Sequence, residues 1–467
     1  MEGRKAIAID RSPAATFITK NYCTPVDVAE LQAAFEELKK KVKPEIDWLY
    51  ETKCDRCGGK ATTAYTVYSQ RFRCPRCLEI VALFDCPEAE GRTKAGKPKK
   101  IRICPHCKKG GHQEVISTSG EKSGAVPVLV SYICENGCKP ARGERRHDDT
   151  DPKKREYFER YDLEKIQEIE GREIPHWYPK NRMMNAPEDQ ECWGVKWRAG
   201  TSNFRTVDEL FTKRNLWALA AISNGTQDLD NSQPSDALMF GLTALLLRLT
   251  RMNQYRPDVS YPTSIITGTY YMPQVSVEAA VWPHYENKIE RLMKGYAEVA
   301  KSDLFVKCII STQSVTNLTA IPAESVDYIF TDPPYGGNVQ FGELNFIWES
   351  WLNLDTRWHK DEIIVNEIRH RTENDWASLM IRALIECYRV LKPNRCLSLC
   401  YHDTSEGTWQ MVQDIMAECG FVPERSGQTL FIDTGGKTYN QNTADKVTKR
   451  DLVINFRKPN HGEASND

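Results

Sequence analysis

Four closely spaced cysteine pairs constrain the fold of this chain more than any other feature of its sequence. The pairs are Cys54 with Cys57, Cys74 with Cys77, Cys104 with Cys107, and Cys134 with Cys138. A tight turn that carries two thiolates supplies half of a tetrahedral zinc site, and two such turns complete it. Pairing in chain order predicts one structural zinc site from the first two pairs and a second from the last two. His106 or His112 can replace a thiolate in the second site, and Cys86 is an alternative ligand.

The cysteine usage indicates metal binding rather than disulfides. The chain has 467 residues and 16 cysteines, half of which lie in these pairs. No apolar run is long enough to span a bilayer, and the polar N-terminus, Met1–Lys5, does not resemble a signal peptide. We therefore predict a cytoplasmic protein without a membrane partner, in which reduced thiols bind two structural zinc ions.

Positive charge is concentrated around the cysteine pairs, although the formal net charge of the chain is only −1. Residues 53–112 contain 14 Lys and Arg against 5 Asp and Glu. A second basic cluster lies at residues 139–155. Such clusters can be solvated loop surfaces, or they can contact phosphates and release counterions from a polyanion. Their position around metal-binding turns favours the second interpretation and predicts a nucleic-acid partner.

Changes in periodicity divide the chain into segments. From about residue 285, strand patterns alternate with helical ones, which predicts an α/β fold with a mostly parallel sheet covered on both faces. Helices are also predicted at residues 152–171, 206–223 and 234–253. The predicted units are the start of an α/β core at 1–50, a zinc-ribbon insertion at 51–150, a mainly helical insertion at 151–270 suited to target recognition, the remainder of the core at 271–460, and a disordered tail at 461–467.

The segment Asp332-Pro333-Pro334-Tyr335 carries the strongest chemical signal. It follows the apolar run Val326–Thr331, which is typical of a short buried strand. Two prolines stop a sheet ladder because neither can donate a backbone hydrogen bond, so the carbonyls before and within the pair are expected to face outward. A carboxylate, a carbonyl and an aromatic ring suit a planar ring that carries an amine. The alternative is a plain turn in which Asp332 caps the following segment.

With these features in place, the chain resembles the amino-methyltransferases of DNA that act on adenine N6 or cytosine N4. It is most similar to large bacterial adenine-specific DNA methyltransferases with zinc-ribbon insertions. The matching segments are Gly3–Asp10, Cys308–Ser314, Ser325–Tyr335 and Tyr388–Pro393. The resemblance implies a Rossmann-like class I methyltransferase sheet and S-adenosylmethionine as the cofactor.

The resemblance also implies roles for individual residues. It assigns catalysis to Asp332, Pro333, Pro334 and Tyr335. It assigns cofactor binding to Asp10, Ser314 and Asp332. Asp10 would accept hydrogen bonds from the ribose hydroxyls, and Ser314 would meet the adenine, where the family more often has an acid. The alternative role for Asp10 is to cap the turn at Ser12-Pro13.

One part of the family pattern is not found. The glycine-rich cofactor loop of the family should precede Gly3, and no other glycine pair in the chain has a strand–loop–helix context. A second polypeptide can supply the loop, the start codon can lie further upstream, or the chain can be a remnant. This N-terminally incomplete sheet predicts that the chain alone binds S-adenosylmethionine weakly or not at all.

The resulting prediction is a site-specific DNA methyltransferase that uses S-adenosylmethionine and acts on a flipped-out base of duplex DNA. Asp before Pro-Pro-Tyr favours adenine N6 over cytosine N4 in the family. The alternatives are guanine-N2 methylation of RNA, which Gly336 would fit, and a non-catalytic zinc-containing DNA-binding subunit of a split methyltransferase. Restriction–modification and phage defence are both open as the biological setting.

Overall fold

The computed structural model describes most of the chain. The described residues are 4–92, 96, 98–118, 122–183, 205–229, 232–258, 263–264, 270–300, 308–334, 336–337, 340–366, 369–401, 406–424, 430–433 and 450–462. Within these ranges, no helix combines the length and the apolar character that a bilayer crossing requires.

The described residues form seventeen strands and eleven α-helices. The strands are β1 (Ala6–Asp10), β2 (Glu51–Lys53), β3 (Lys60–Arg73), β4 (Ile80–Ala82), β5 (Glu88–Arg92), β6 (Pro98–Arg102), β7 (Lys122–Cys134), β8 (Arg142–Arg146), β9 (Gln254–Tyr255), β10 (Thr263–Ser264), β11 (Val275–Ala279), β12 (Cys308–Thr312), β13 (Val326–Thr331), β14 (Leu391–Tyr401), β15 (Val422–Pro423), β16 (Leu430–Asp433) and β17 (Arg450–Arg457). The helices are α1 (Pro13–Cys23), α2 (Val28–Tyr50), α3 (Pro105–Lys109), α4 (Pro152–Tyr157), α5 (Glu164–Gly171), α6 (Lys213–Gln227), α7 (Ser232–Thr243), α8 (Val281–Ala300), α9 (Phe341–Trp351), α10 (Glu373–Val390) and α11 (Glu406–Glu418).

Two long antiparallel strands organise the cysteine-rich part of the chain. β3 and β7 pair from Ala61 opposite Cys134 at one end to Phe72 opposite Lys122 at the other. At about 3.4 Å per residue, the 14 residues of β3 span about 45 Å. The sheet continues in the order β10-β9-β11-β3-β7-β8, with β2 and β4 also paired to β3. This length separates the two ends of the sheet by far more than the diameter of a metal site.

The α/β class predicted for the core is confirmed. β1 pairs in parallel with β12, and β13 pairs in parallel with β14. The antiparallel strand β17 follows β14, so the second group runs β13-β14-β17-β15, with β16 also on β17. Helices α10 and α11 cover β14 through a cluster that includes Met380, Leu384, Leu397, Leu399 and Met416.

The parallel core is divided between two groups of strands. Among the described strands, β1 pairs only with β12, and β13 pairs only with β14. Parallel strands are normally buried on both faces, yet Ile7 on β1 is 46% exposed, and Tyr328 and Phe330 on β13 are 53% and 59% exposed. Among the described strands, each group therefore has an edge strand without a second partner and with large exposed apolar side chains.

A helical core joins the two sheet systems. Helix α2 buries one stripe at helical spacing, which includes Leu31, Leu38, Val42 and Ile46. Its side chains pack into one apolar cluster with residues of α6, α7, α8 and α9. Asp27 starts α2 because its carboxylate accepts from the backbone amides of the first turn, at 2.7 and 3.0 Å.

The three predicted helices of the middle region differ in detail from the structure. Residues 152–171 are helical throughout, with a π-helix at Phe158–Leu163 between α4 and α5. The helix expected from residue 206 begins at Lys213, because Thr212 is the N-cap and a short 3-10 turn precedes it. The helix expected to reach residue 253 ends at Thr243. The predicted domain bounds stay a prediction, although β11 (within 271–460) adds directly to β3.

Candidate functional site

The eight paired cysteines form two groups of four. One group contains Cys54, Cys57, Cys134 and Cys138, and the other contains Cys74, Cys77, Cys104 and Cys107. Within each group, the sulfur atoms all lie within 4.8 Å of one another. Four thiolates at about 2.3 Å from one zinc ion would be about 3.8 Å apart, close to the 3.6 Å between Cys57 and Cys134 Sγ and the 3.7 Å between Cys74 and Cys107 Sγ. Both donor sets therefore fit a structural zinc ion with a closed shell.

The pairing predicted from chain order is wrong. The first and fourth pairs share one site, and the second and third pairs share the other. β3 carries the second pair to the far end of the sheet, and β7 returns antiparallel to it, so that Cys134 lies opposite Ala61 beside the first pair. His106 and His112 belong to neither group. Cys86 is also outside both, and burial raises the pKa of its thiol to about 12.

The first turn of each site has the same backbone geometry. Gly58 N donates to Cys54 O at 2.8 Å, and Cys54 N donates to Gly59 O at 2.9 Å. In the second site, Leu78 N donates to Cys74 O at 3.0 Å, and Cys74 N donates to the carbonyl five residues on at 2.9 Å. Burial alone would raise the pKa of Cys54, but backbone amide donors together with the side chains of Arg56 and Cys134 outweigh it and lower the pKa to about 6. The first turn thus favours the thiolate, which is the zinc-binding form, whereas in the other turns burial and neighbouring thiols raise the pKa of Cys107, and neighbouring thiols raise the pKa of Cys138.

A third group with metal-ligand side chains is better explained as an ion-pair cluster. It consists of Asp85, His147 and Asp148. The Arg146 guanidinium already lies 2.9 Å from Asp148 Oδ1 and 3.9 Å from Asp85 Oδ1. His147 Nε2 lies 3.0 Å from the same Asp85 oxygen, and this hydrogen bond raises the pKa of His147. A resident guanidinium satisfies these carboxylates without a metal ion.

The predicted catalytic segment begins where β13 ends. Asp332 is exposed and follows Thr331, which pairs with Leu399 on β14. The Pro334 carbonyl accepts from Trp376 Nε1 at 3.0 Å and from Gly336 N at 3.2 Å. The expectation that every carbonyl of the proline pair faces outward is therefore wrong for Pro334, because an α10 side chain folds over it. Tyr335 lies outside the described residues.

The loop after the proline pair is fixed by a segment that sequence reasoning missed. Gly336 has a φ of 57°, and its carbonyl accepts from Val365 N at 3.1 Å. The Gln340 side chain donates to Gly337 O at 3.1 Å, and Asn366 Nδ2 donates to Gln340 Oε1 at 2.8 Å. Val365 and Asn366 are far along the chain from the proline pair, so their contacts with this loop could not be predicted from neighbouring residues. The side-chain amides of Gln340 and Asn366, which are buried, are the only hint of these contacts that the sequence contains.

Asp10 and Ser314 come together at the carboxyl ends of adjacent strands. Asp10 pairs with Thr312, and Gln313 N donates to Asp10 O at 3.1 Å. The Ser314 hydroxyl lies 2.8 Å from Thr316 Oγ1 in the turn that follows. Asp10 also accepts from Ser12 N at 2.8 Å, so it does cap the turn as the alternative predicted. Desolvation by the surrounding protein raises the pKa of Asp10, although its side chain keeps contact with solvent.

The buried carboxylate of Glu349 contacts the turn at Ser12 that follows Asp10. Glu349 on α9 is fully buried and lies 2.8 Å from Ser12 Oγ. It also accepts from Trp358 Nε1 at 3.0 Å and lies 3.1 Å from His359 Nε2. Sequence reasoning did not predict this network, because Glu349 and Ser12 are 337 positions apart. The network ties β1 and α1 to the segment that follows α9.

Comparison with known proteins yields only distant likenesses. No protein-family model and no curated protein matches the chain. A Thermus thermophilus protein provisionally assigned as a DNA modification methylase, in complex with S-adenosyl-L-methionine, is 16% identical over 33% of this chain and 56% of its own, with a TM-score of 0.19. A Methanosarcina mazei S-adenosylmethionine-dependent methyltransferase is 13% identical over 36% and 76%, with a TM-score of 0.19. The chain thus spans about half the length of the Thermus protein, and TM-scores this low carry no argument about fold or function.

Proposed function

We propose that this chain is the catalytic part of an S-adenosylmethionine-dependent DNA methyltransferase that modifies adenine N6 of a flipped-out base. The observation that carries the proposal is the position of Asp332-Pro333-Pro334 at the carboxyl end of the parallel strand β13. In open α/β sheets, ligands bind at the carboxyl ends of the strands. A carboxylate and a proline carbonyl there can accept both hydrogens of an exocyclic amine.

The contact between Trp376 and Pro334 decides which carbonyl receives the amine. Because Pro334 O already accepts from the indole and from Gly336 N, we assign the amine acceptor to Pro333 O, together with the Asp332 carboxylate. In this role the two acceptors orient the N6 lone pair, and Tyr335 stacks on the base. Asp332 then takes the displaced N6 proton and passes it to solvent.

Asp10 and Ser314 are proposed to bind the cofactor. They occupy the same edge of the β1–β12 pair, which fits a ribose and an adenine side by side. Bound S-adenosylmethionine supplies an electrophilic methyl group on a sulfonium and leaves as a neutral thioether. The residues therefore need only orient and desolvate the reacting amine, and no strong base is required.

A second polypeptide is proposed to complete the sheet. β1 and β13 each carry one predicted site acid at the carboxyl end, and each has one partner among the described strands. One added parallel strand between them would cover both unpaired edges and the exposed side chains of Ile7, Tyr328 and Phe330. We expect isothermal titration of S-adenosylmethionine into the isolated chain to give no measurable heat, and micromolar binding would contradict this part of the proposal.

The proposed activity is tested by transfer of a tritiated methyl group from S-adenosylmethionine to duplex DNA and to tRNA in parallel reactions. The enzyme should be purified natively, with any bound polypeptide retained. Asp332→Ala should abolish transfer to DNA. Asp327→Ala is the matched control on the same strand, because Asp327 is exposed and pairs with Lys392 at 2.7 Å on the surface. Methyl transfer to DNA by the Asp332→Ala variant would rule out the role assigned to Asp332. Methyl transfer to tRNA but not to DNA would show that the substrate is RNA.

A non-catalytic DNA-binding subunit is the second candidate. The unpaired edges of β1 and β13 among the described strands favour it, because the two predicted site acids, Asp10 and Asp332, lie after strands that are not paired with each other there. This candidate predicts DNA binding without methyl transfer, even when the native complex is assayed.

A further inference from the structure

The first turn of the second zinc site contains a strained and exposed leucine. Leu78 has a φ of 61°, in the left-handed region, where the equivalent position of the first site is Gly58 with a φ of 71°. L-residues with a side chain rarely adopt this conformation, and a leucine there is strained. Glycine is the residue that this turn favours, so the leucine is not explained by backbone requirements.

Packing does not explain the leucine either. Leu78 is 62% exposed, and it is outside the apolar cluster that Phe72, Val81 and Leu83 form around the second site. A strained conformation that exposes an apolar side chain lowers the stability of the free protein on both counts. Strain of this kind is typically retained at positions that serve binding or catalysis.

Positive charge surrounds this leucine. Arg73 and Arg76 flank the same turn, and Lys108 and Lys109 leave the other turn of the site; all four are exposed. Arg76 Nη2 lies 3.1 Å from His112 Nε2, which joins the two turns at one tip. Acidic side chains at the tip are fewer, namely Glu79 and Glu114.

We propose that this zinc tip, residues 73–80 and 104–114, is a docking surface for duplex DNA. Leu78 makes the apolar contact with sugars and base edges in a groove, and Arg76, Lys108 and Lys109 contact phosphates on either side. The inference rests on the DNA substrate proposed above and assigns the contact to one zinc site. A zinc ion with four thiolates carries a charge of −2, which together with Glu79 and Glu114 offsets the four cations of the tip. The occupant is therefore inferred from the exposed basic side chains beside Leu78, which suit phosphates, and not from the net charge of the tip.

The test is fluorescence anisotropy of a short fluorescein-labelled DNA duplex with the full chain. Leu78→Gly should weaken binding about tenfold, the loss expected for one apolar anchor. Its thermal midpoint should not fall, because glycine is the residue that suits a positive φ. Leu78→Met should retain wild-type affinity. Ile385→Ala is the matched control, because Ile385 is an exposed apolar residue on α10, and it should bind DNA normally.

Charge variants test the second half of the inference. Arg76→Gln, Lys108→Gln and Lys109→Gln should each lower the slope of log affinity against log salt by about 0.9. Zinc content should stay at the wild-type value in all of these variants. An unchanged affinity of Leu78→Gly, or an affinity that falls only together with zinc content, would overturn the inference.

The outcomes separate this inference from the proposed function. If the native complex methylates DNA and Leu78→Gly binds as tightly as the wild type, the zinc tip is not the docking surface and the function stands. If the wild-type chain binds tRNA but not duplex DNA, the proposed substrate fails, and the DNA contact of the tip fails with it.

Discussion

The two candidate zinc sites share one turn geometry but differ in what surrounds them. The first site is built into the protein: Tyr132 donates to Asp55 between its ligands, and a Cβ at Gly58 would lie 3.7 Å from the Tyr157 hydroxyl. The second site ends in exposed Leu78 and basic side chains. Identical ligands thus serve a first site that side-chain contacts anchor, although its Cys57 is exposed, and a second site whose ligands are buried or half-buried but whose tip is exposed.

This contrast indicates that the metal turns have separate roles. The first site connects the sheet to the helices that follow β8, because Arg145 on β8 forms two hydrogen bonds with Asp162 in the π-helix, at 2.5 and 2.7 Å. No such buried ionic contact is present among the described residues of the second site. Stability should therefore depend more on the first site, and DNA affinity more on the second.

The largest expected effect comes from double cysteine substitutions. Cys54→Ser with Cys134→Ser should remove one zinc ion and leave the other, because both residues belong to the first site. Cys54→Ser with Cys74→Ser should remove both ions and unfold the cysteine-rich sheet, because structural zinc contributes directly to folding. Atomic absorption on the purified chains gives the metal content. Pairing in chain order predicts the reverse result for these two variants.

The wrong pairing of the cysteine turns shows which part of the metal sites could not be predicted from the sequence. Local spacing predicts the type of ligand, and the eight predicted cysteines do lie in the two groups of four. Which turns meet depends on the length of β3 and the register of β7, which are properties of the whole sheet. The alternation of residues 61–73 could have indicated a strand too long for adjacent pairs to meet. Even so, its partner was not predictable from local sequence.

The same limit applies to the candidate active site. The strand β13 and the position of Asp332 directly after it were predicted because both depend on neighbouring residues. The burial expected for this strand was wrong, because Tyr328 and Phe330 are exposed at an edge that has no partner among the described strands. The Trp376 contact with Pro334 joins residues 42 positions apart, and it changed which carbonyl can accept an amine. Packing of α10 against the sheet creates that contact, and this packing cannot be predicted from a single sequence.

The second largest effect should come from breaking the buried pair of the first site. Asp162→Ala leaves the fully buried Arg145 guanidinium without its carboxylate, which typically costs about 3–5 kcal/mol. Asp162 also accepts from Thr52 at 2.6 Å, so the substitution leaves a buried hydroxyl without its acceptor as well. Urea unfolding measures the loss. Asp258→Ala, which breaks an exposed pair with Arg256, is the control and should leave the midpoint unchanged.

A smaller effect is expected from exchanging the turn residues between sites. Gly58→Leu places a side chain at a φ of 71° and should lower the free energy of unfolding by about 1–2 kcal/mol. Because Gly58 lies in the anchored site, the variant should not gain DNA affinity. Thermal unfolding and anisotropy together check both statements. A Gly58→Leu variant that binds DNA more tightly would show that exposure of a leucine, rather than its place at the basic tip, determines binding.

The smallest effect should appear in the pH dependence of stability. The hydrogen bond from His147 to Asp85 raises the pKa of the imidazole, Asp148 adds to the increase, and burial and Arg146 oppose it. A raised pKa in the folded state means that the stabilisation is complete below the unfolded value of about 6.5 and is lost as the pH rises through the folded value. His147→Gln should remove this part of the pH dependence, measured as urea midpoints on both sides of that range. Since His147 follows β8 and Asp85 follows β4, the pair joins strands that lead towards different zinc sites. Hydrogen exchange tests whether this pair couples the two sites. If the backbone amides of the metal-binding turns of both sites lose protection together above this pH, the two sites are less independent than their surroundings indicate.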